Sequence, residues 1–405
     1  MEICVVGGGA AGLMAAAAAA EAGAAVTVLE KTDRPGKKLR ITGKGRCNVT
    51  CAADPAAMQE KIARGAKFLR TALYAFPPSE TVRFFEAAGV PLKEERGGRI
   101  FPVSDNAHDV ADALLRRAKA AGAAVRRGAV TAVEKTGDLF LVRCGGEALF
   151  FDRVILATGG ASYPGTGSTG DGYGFARALG HTVNDPRPSL IPLITEGDLA
   201  GHLLGLSLKN AAITVKDGKK TVFRAFGELV FTHFGLSGPI VLSASAHLDF
   251  AAGKTYALFI DLKPALDRET LDKRILRDLG AAANRDLVNA VTGLYPHKLI
   301  LPLLETAGLD PRKKANEVTR AERARLLETT KALPFTVVGA RPLSEAIVTR
   351  GGVALSEVDP RTMESRLVPG LFFAGELLDA DAETGGFNLQ IAWATGRLAG
   401  LSAAR

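Results

Sequence analysis

The chain has 405 residues, 47% hydrophobic and 23% charged, an ordinary globular composition with room for two or three domains. Its four cysteines, Cys4, Cys47, Cys51 and Cys144, show neither C-x-x-C nor metal-ligand spacing, so no metal site is expected and a reduced, cytoplasmic chain is the default. No stretch suggests a membrane span, acidic Glu2 and a triple glycine argue against a signal peptide, and the net charge of +8 points to anionic ligands, to nucleic acid, or to a merely basic surface.

The first thirty residues organise the rest. Glu2-Ile3-Cys4-Val5-Val6 is a short apolar run of the kind that forms a buried parallel strand. It ends in Gly7-Gly8-Gly9-Ala10-Ala11-Gly12, which fits G-x-G-x-x-G. An alanine-rich helix follows, then a second strand over residues 25–29 that closes on Glu30. This strand–turn–helix–strand context is what a dinucleotide fingerprint requires. Gly7 permits the tight turn, Gly9 lets a pyrophosphate approach the backbone, and Gly12 lets the helix pack close to the sheet. The helix start at Ala10 and Ala11 offers free N–H groups and a partial positive charge to the phosphates. Glu30, eighteen positions after Gly12, stands where a carboxylate accepts hydrogen bonds from ribose hydroxyls and where a 2′-phosphate would be repelled. NADP is thereby disfavoured, while FAD and NAD both remain open.

Residues 31–48 carry seven Lys or Arg between positions 31 and 46 against one acid, and Pro35-Gly36 with later glycines makes the stretch a loop. Leaving the second strand, it lies above the carboxyl edge of the sheet, where a doubly wound fold binds its ligand. Residues 54–122 read as helices broken by Pro77-Pro78 and by a hairpin around Gly97-Gly98, with an amphipathic helix over 106–121. Residues 124–133, 139–143 and 148–151 read as a small antiparallel set of strands. Another buried strand, 154–157, ends in Thr158-Gly159-Gly160, a turn that in two-nucleotide flavoprotein folds returns the chain to the cofactor. G-x-G-x-x-G recurs at 165–170. Seven residues separate it from the preceding strand, and no acid-ended strand follows, so it reads as a glycine-rich active-site loop.

Three prolines between His181 and Pro192 mark a boundary. Beyond it, short strands (212–215, 221–225, 256–261) and polar helices over 267–331 read as an inserted domain. The expected organisation is a nucleotide-binding domain in two parts, 1–189 and 335–405, around an insert at 190–334. Strand-like residues 335–338, 346–349 and 371–374 are expected to return to the first domain. After Gly375-Glu376 a loop leads to Thr384-Gly385-Gly386 and a terminal helix from Phe387. That helix favours flavin over nicotinamide. Opening on Gly386-Phe387-Asn388-Leu389-Gln390, its N-terminus would face a cofactor ring and favour negative charge at reduced flavin N1 and C2=O by about 0.3–1 kcal/mol.

Four blocks together resemble a known family, the YhiN/BaiN-like NAD(P)/FAD-dependent oxidoreductases, also described as aminoacetone-oxidase-type FAD-binding flavoproteins. They are Gly36-Lys37-Lys38 through Gly45-Arg46-Cys47-Asn48-Val49-Thr50; Ala157-Thr158-Gly159-Gly160-Ala161-Ser162-Tyr163-Pro164 through Gly172; Phe231-Thr232-His233-Phe234-Gly235-Leu236-Ser237-Gly238-Pro239; and Gly351-Gly352-Val353 through Gly375-Glu376 to Asn388-Leu389-Gln390. The blocks span nearly the whole chain in family order. The resemblance implies an α/β protein: a Rossmann-like FAD-binding domain of the two-nucleotide-fold type, interrupted by an insert with a β-barrel and helices.

The residues expected to hold FAD are Gly7, Gly9, Ala10, Ala11, Gly12, Glu30, Lys31, Lys38, Arg46, Cys47, Asn48, Val130, Thr158, Gly159, Gly160, Gly375, Glu376, Gly386, Asn388, Leu389 and Gln390, with Arg46 and Asn48 the foremost polar contacts. His233, Tyr163 and Cys47 are the candidates for a catalytic role. The expected activity is hydride transfer through flavin N5 to or from a small organic substrate, with dioxygen or transiently bound NAD(P)H as the second reactant. No nucleic-acid or membrane partner is expected. The alternatives are a flavin-dependent RNA-modifying enzyme, favoured only by a pI near 9.3, and a non-catalytic flavin redox sensor.

Overall fold

In the computed structural model, which describes residues 1–250 and 253–405, the chain divides into two units: Met1–Ser189 with Pro342–Arg405, and Leu190–Arg341. The first is built on a five-stranded parallel sheet in the order Leu371–Phe373, Arg153–Leu156, Glu2–Val6, Ala25–Glu30, Ala124–Arg127. Ile3, Cys4 and Val5 in its centre are fully buried, as a strand covered on both faces must be. Glu2–Val6 is flanked by Ala25–Glu30 on one side and Arg153–Leu156 on the other, so the strand order reverses at its carboxyl end. A doubly wound sheet opens its ligand crevice at such a point.

The helix Ala10–Glu21 buries ten of its twelve residues and so needs no polar face. The terminal helix, Phe387–Ala403, packs directly on it. A Cβ at Gly396 would come 2.4 Å from the Ala11 carbonyl oxygen, and one at Gly400 would come 2.3 Å from that of Ala15. Both pairs share one register, so the two helices run parallel.

Residues 124–133 are not one antiparallel strand, as the sequence suggests. Ala124–Arg127 joins the parallel sheet, and the chain then bends at Gly128, whose N–H donates to the Glu30 carbonyl. A Cβ there would lie 2.3 Å from Cys144 Sγ. Only then does Val130–Thr136 begin an antiparallel sheet with Leu139–Cys144 and Glu147–Phe151. The expected helix and hairpin are present as Ala107–Ala120, capped by the Asn106 side chain, and as Leu92–Glu95 with Arg99–Pro102. Residues 165–170 receive no strand, and Gly170 caps the helix Asp171–Ala178. The proline-rich boundary is itself a strand, Val183–Ser189, paired only with Val348–Val353, where proline costs no ladder bond on the open edge.

The second unit is a closed barrel of six strands: Leu193–Thr195, Gly235–Ser237, Lys220–Thr232, Ser207–Asp217, Tyr256–Asp261 and Leu333–Ala340. Four helices, Arg268–Ala281, Leu287–Ala290, His297–Thr306 and Arg320–Lys331, precede the last strand. Residues 335–338 therefore do not return to the first unit. Leu333–Ala340 closes the barrel against Tyr256–Asp261 and Leu193–Thr195, with Phe335 and Val337 buried. The chain re-enters the first unit at Pro342. Period-2 alternation reveals a strand but not the sheet it joins. Among the described residues no helix is long and apolar enough to cross a membrane.

Candidate functional site

The fingerprint glycines divide by what demands them. Gly7, at φ 103°, would put a Cβ 2.6 Å from the Ala157 carbonyl oxygen, and a Cβ on Gly12 would fall 1.9 Å from that of Gly7. Both are required by the packing of turn, helix and sheet. Gly9 is different: its backbone is extended, and a Cβ there would meet nothing within 4 Å. Gly9 is also the cap of helix Ala10–Glu21 and supplies no side-chain acceptor for the first-turn N–H groups. Open space before uncapped N–H groups fits a pyrophosphate. Glu30 is 9% exposed and accepts the Gly8 N–H at 2.8 Å and the Thr32 N–H at 2.7 Å. These bonds fix the carboxylate beside the glycine turn, and each oxygen retains a lone pair for a ribose hydroxyl.

The basic loop is held differently from the expectation. Six of its seven cations pair with acids: Lys31 with Asp171, Arg34 and Arg40 with Asp112, Lys37 with Asp33, Lys38 with Glu376, and Arg46 with Glu95 and Asp105. Cofactor phosphates are thus not needed to explain the cluster. Arg46, expected as a foremost FAD contact, spreads its guanidinium over two carboxylates and lies 4.3 Å above the Phe101 ring. It holds the Glu95 carboxyl below the usual range, and together with Lys93 it lowers that of Asp105. It braces the loop against the hairpin. Lys31 reaches both Thr169 and Asp171 at the start of Asp171–Ala178.

Lys38 enters a polar knot drawn from four distant stretches. Its Nζ donates to Ser162 Oγ at 2.8 Å and to Glu376 Oε2 at 2.7 Å, while Glu376 Oε1 accepts the Thr349 N–H at 2.8 Å. Thr349 Oγ1 accepts the N–H groups of Ala161 and Ser162. Gly160 lies inside the knot, where a Cβ would meet Thr349 Oγ1 at 2.5 Å. Beside it, Gly159 turns at φ 74°, and Thr158 Oγ1 lies where a Cβ on Gly172 would fall. Gly375, at φ 72°, donates to Thr395 Oγ1 and abuts Ala11, which ties the last strand to the fingerprint helix. Val130 opens the antiparallel sheet and is half-buried.

At the C-terminal end, Gly386 caps Phe387–Ala403 at φ 92° without a side chain. The Asn48 amide nitrogen donates to the carbonyls of Ile100 and Thr50, and its oxygen accepts the Gly386 N–H at 3.0 Å. Asn388 exchanges hydrogen bonds with the Ala382 backbone. Gln390 is fully buried, accepting from the Thr50 and Thr81 hydroxyls and donating to the Phe76 carbonyl. Leu389 is half-buried. The side chains of Asn48, Asn388 and Gln390 therefore hold the helix start in place, and what the helix offers a ligand is backbone. The register of Ala11 on Gly396 staggers the two uncapped helix starts by eight residues, about 12 Å along parallel axes.

Of the catalytic candidates, Cys47 fails as a redox thiol. It is fully buried, and burial pushes the thiol up to about 12, only partly opposed by a hydrogen bond with Thr42. All four cysteines are buried. Native protein is expected to yield no fast-reacting thiol with Ellman's reagent and four after denaturation. A fast thiol lost in Cys47→Ser would reinstate it. Tyr163 is 36% exposed at φ 52° on the loop after Gly160, and its carbonyl accepts from the Thr166 hydroxyl. His233 belongs to the second unit, exposed on the turn after Lys220–Thr232 and edge-on to Phe234.

Three groups escaped the sequence reading. Thr349 carries no motif. Asp381 is fully buried on the short strand beside Ile62–Arg64, accepts the Ser189 hydroxyl at 2.6 Å, and has its carboxyl raised by burial. Gly396 and Gly400 did carry a signal, G-x-x-x-G facing Ala11 and Ala15 at the same spacing.

A family model, the HI0933-like protein Rossmann domain, matches residues 1–402. A 3-dehydro-bile acid delta(4,6)-reductase of Clostridium scindens is 35% identical over 387 residues, covering 95% of this chain and 94% of that protein. A ribosomal RNA dihydrouridine synthase of Escherichia coli is 31% identical over 379 residues, covering 93% and 91%. In fold, the chain is similar to a 3-ketosteroid-delta4-(5alpha)-dehydrogenase from Rhodococcus jostii RHA1, at 18% identity and a TM-score of 0.50, over 100% of this chain and 97% of that one. The chain belongs to the HI0933-like Rossmann-domain family.

Proposed function

We propose that the chain is an FAD-dependent reductase that saturates a carbon–carbon double bond conjugated to a carbonyl. One observation carries this: two relatives aligned over more than nine-tenths of the chain have names that give unrelated substrates but one bond chemistry. The delta-4,6 bonds of a 3-oxo steroid are conjugated to its ketone, and C5=C6 of uracil is conjugated to C4=O. Bound FAD would supply a hydride at N5. The chain would supply position and charge. Gly9 and the first turn of Ala10–Glu21 hold the pyrophosphate, and Glu30 holds the adenosine ribose. The knot of Lys38, Ser162, Thr349 and Glu376 fixes the Gly159-Gly160 turn beside the last strand. The uncapped start of Phe387–Ala403 favours negative charge on the ring. With one fingerprint in the chain, the electron donor is NAD(P)H bound transiently. Anaerobic NADH or NADPH should bleach the flavin absorbance, and a cyclic enone or a uridine substrate should restore it with one equivalent of saturated product. Restoration by dioxygen alone, with no enone or uridine accepted, would overturn the assignment.

On a second reading the substrate narrows to uridine within RNA. The location of the charge favours it: residues 190–341 carry 21 Lys and Arg against 16 Asp and Glu, five of the chain's net +8. This departs from the expectation of a small-molecule substrate without a nucleic-acid partner. Dihydrouridine formed in RNA given with NAD(P)H is the product to measure.

A further inference from the structure

The barrel has an outward face that its core does not use. Ser207–Asp217 lies between Lys220–Thr232 and Tyr256–Asp261, and alternate residues point away from the core. Ile213, Val215, Leu258 and Ile260 are buried inside. On the outer side one ladder row is Arg224, Thr214 and Phe259, and the next is Phe226, Ala212 and Asp261. The small Ala212 and Thr214 floor a shallow trough on the middle strand, with Arg224 and Phe226 along one wall and Phe259 along the other. Phe226 is 56% exposed.

Lys216 follows Thr214 on the same face, its ammonium 5.4 Å from the Phe259 ring centroid. Lys219 and Lys220 stand at the hairpin turn, which Gly218 makes at φ 56°. The acids nearby are engaged: Asp217 with Lys254, Asp261 with Lys331, and Glu228 with the Ser207 hydroxyl. The trough is thus lined by cations and an open aromatic ring, with Asp217 and Asp261 neutralised by lysines and the Glu228 carboxylate, bonded to a neutral hydroxyl, as the acid that remains.

We propose that this trough binds single-stranded RNA, with a base stacked on Phe226 and the phosphates tracked by Lys216, Lys219, Lys220 and Arg224. An exposed ring on a sheet surface flanked by cations is how single strands are held without sequence readout, because every base has a π-face. A duplex keeps its bases stacked out of reach of such a ring. A protein interface of this kind would be depleted in lysine at its centre. The proposal rests on the reading of uridine in RNA as substrate.

The test is fluorescence anisotropy with a labelled oligouridine of about twelve nucleotides, across a salt series, on the FAD-loaded enzyme. For four phosphate contacts the slope of log K against log salt should be about −3, at about 0.7 per contact. Phe226→Ala should weaken binding at least about fivefold. Lys219→Gln/Lys220→Gln at the open turn, where folding is least at stake, should flatten the slope by about 1.4, as should Lys216→Gln/Arg224→Gln. All three should retain the flavin spectrum. If the wild type forms dihydrouridine while the variants bind oligouridine unchanged, the surface is wrong and the substrate reading stands. If the wild type neither binds RNA nor forms dihydrouridine, both fall. Tighter binding of a duplex, or a dimer dissolved by Phe226→Ala with RNA affinity intact, would also overturn the trough.

Discussion

Gly9→Ala is expected to purify folded and colourless. Gly9 has an extended backbone that alanine adopts without strain, and its Cβ would touch nothing in the protein. The added methyl instead fills the space through which a pyrophosphate must approach the helix start. FAD affinity should fall at least about 100-fold, about 2.7 kcal/mol. The melting temperature of the cofactor-free protein should not move. The comparison must be made between cofactor-free forms, because bound FAD raises the stability of whichever protein retains it. Released cofactor identified by mass spectrometry should be FAD in the wild type and nearly absent in the variant. Full FAD occupancy in Gly9→Ala would remove the pyrophosphate from this turn.

Gly396→Leu should give the opposite signature. Its Cβ would lie 2.4 Å from the Ala11 carbonyl oxygen, a contact between two helix backbones that no rotamer relieves. The terminal helix must shift outward along its whole contact with Ala10–Glu21. Overpacking of this kind costs about 1–3 kcal/mol, and a backbone collision belongs at the upper end. With about 2–4 °C lost per kcal/mol in units of this size, the cofactor-free melting temperature should drop by roughly 6–12 °C. FAD retention should fall too, since the Gly386 helix start moves with the helix. A melting temperature within a degree or two of wild type would mean that the helices do not meet at Gly396.

What the sequence reveals of the site follows from the range of each requirement. Gly12 meets the carbonyl of Gly7 five residues earlier, and Gly7 turns at positive φ within the same motif, so spacing identifies both, although the Ala157 carbonyl that also crowds Gly7 is invisible in the sequence. Lys38 and Glu376 are 338 residues apart, and no local pattern joins them. The basic loop misleads for the same reason. Counted along the chain it holds only Asp33, whereas in the fold Asp112, Asp171 and Glu376 close in on it. Asn388 and Gln390 illustrate a subtler limit. Glycine followed by a helix start marks the right place, but the side chains turn inward to Ala382, Thr50 and Thr81, leaving the backbone as the only donor. Phe335 and Val337 are legible as strand residues, and the barrel they close is not, because closure depends on partners more than seventy residues upstream.

The parallel helix starts have a consequence for the life of the chain. Each carries roughly half a positive charge, neither cap residue has a side chain to quench it, and only the Gly386 N–H finds an acceptor, in Asn48. The N–H groups they leave unpaired are satisfied only by solvent or by a bound ligand. A ligand that binds only the folded chain makes the empty protein the less stable form, and saturating FAD would add about 2.7 kcal/mol at a hundredfold excess over its dissociation constant. Opened molecules are what proteases remove, so the steady-state amount of this enzyme should follow the riboflavin supply of the cell. When flavin is scarce the cell would lose the protein itself, and not merely its turnover.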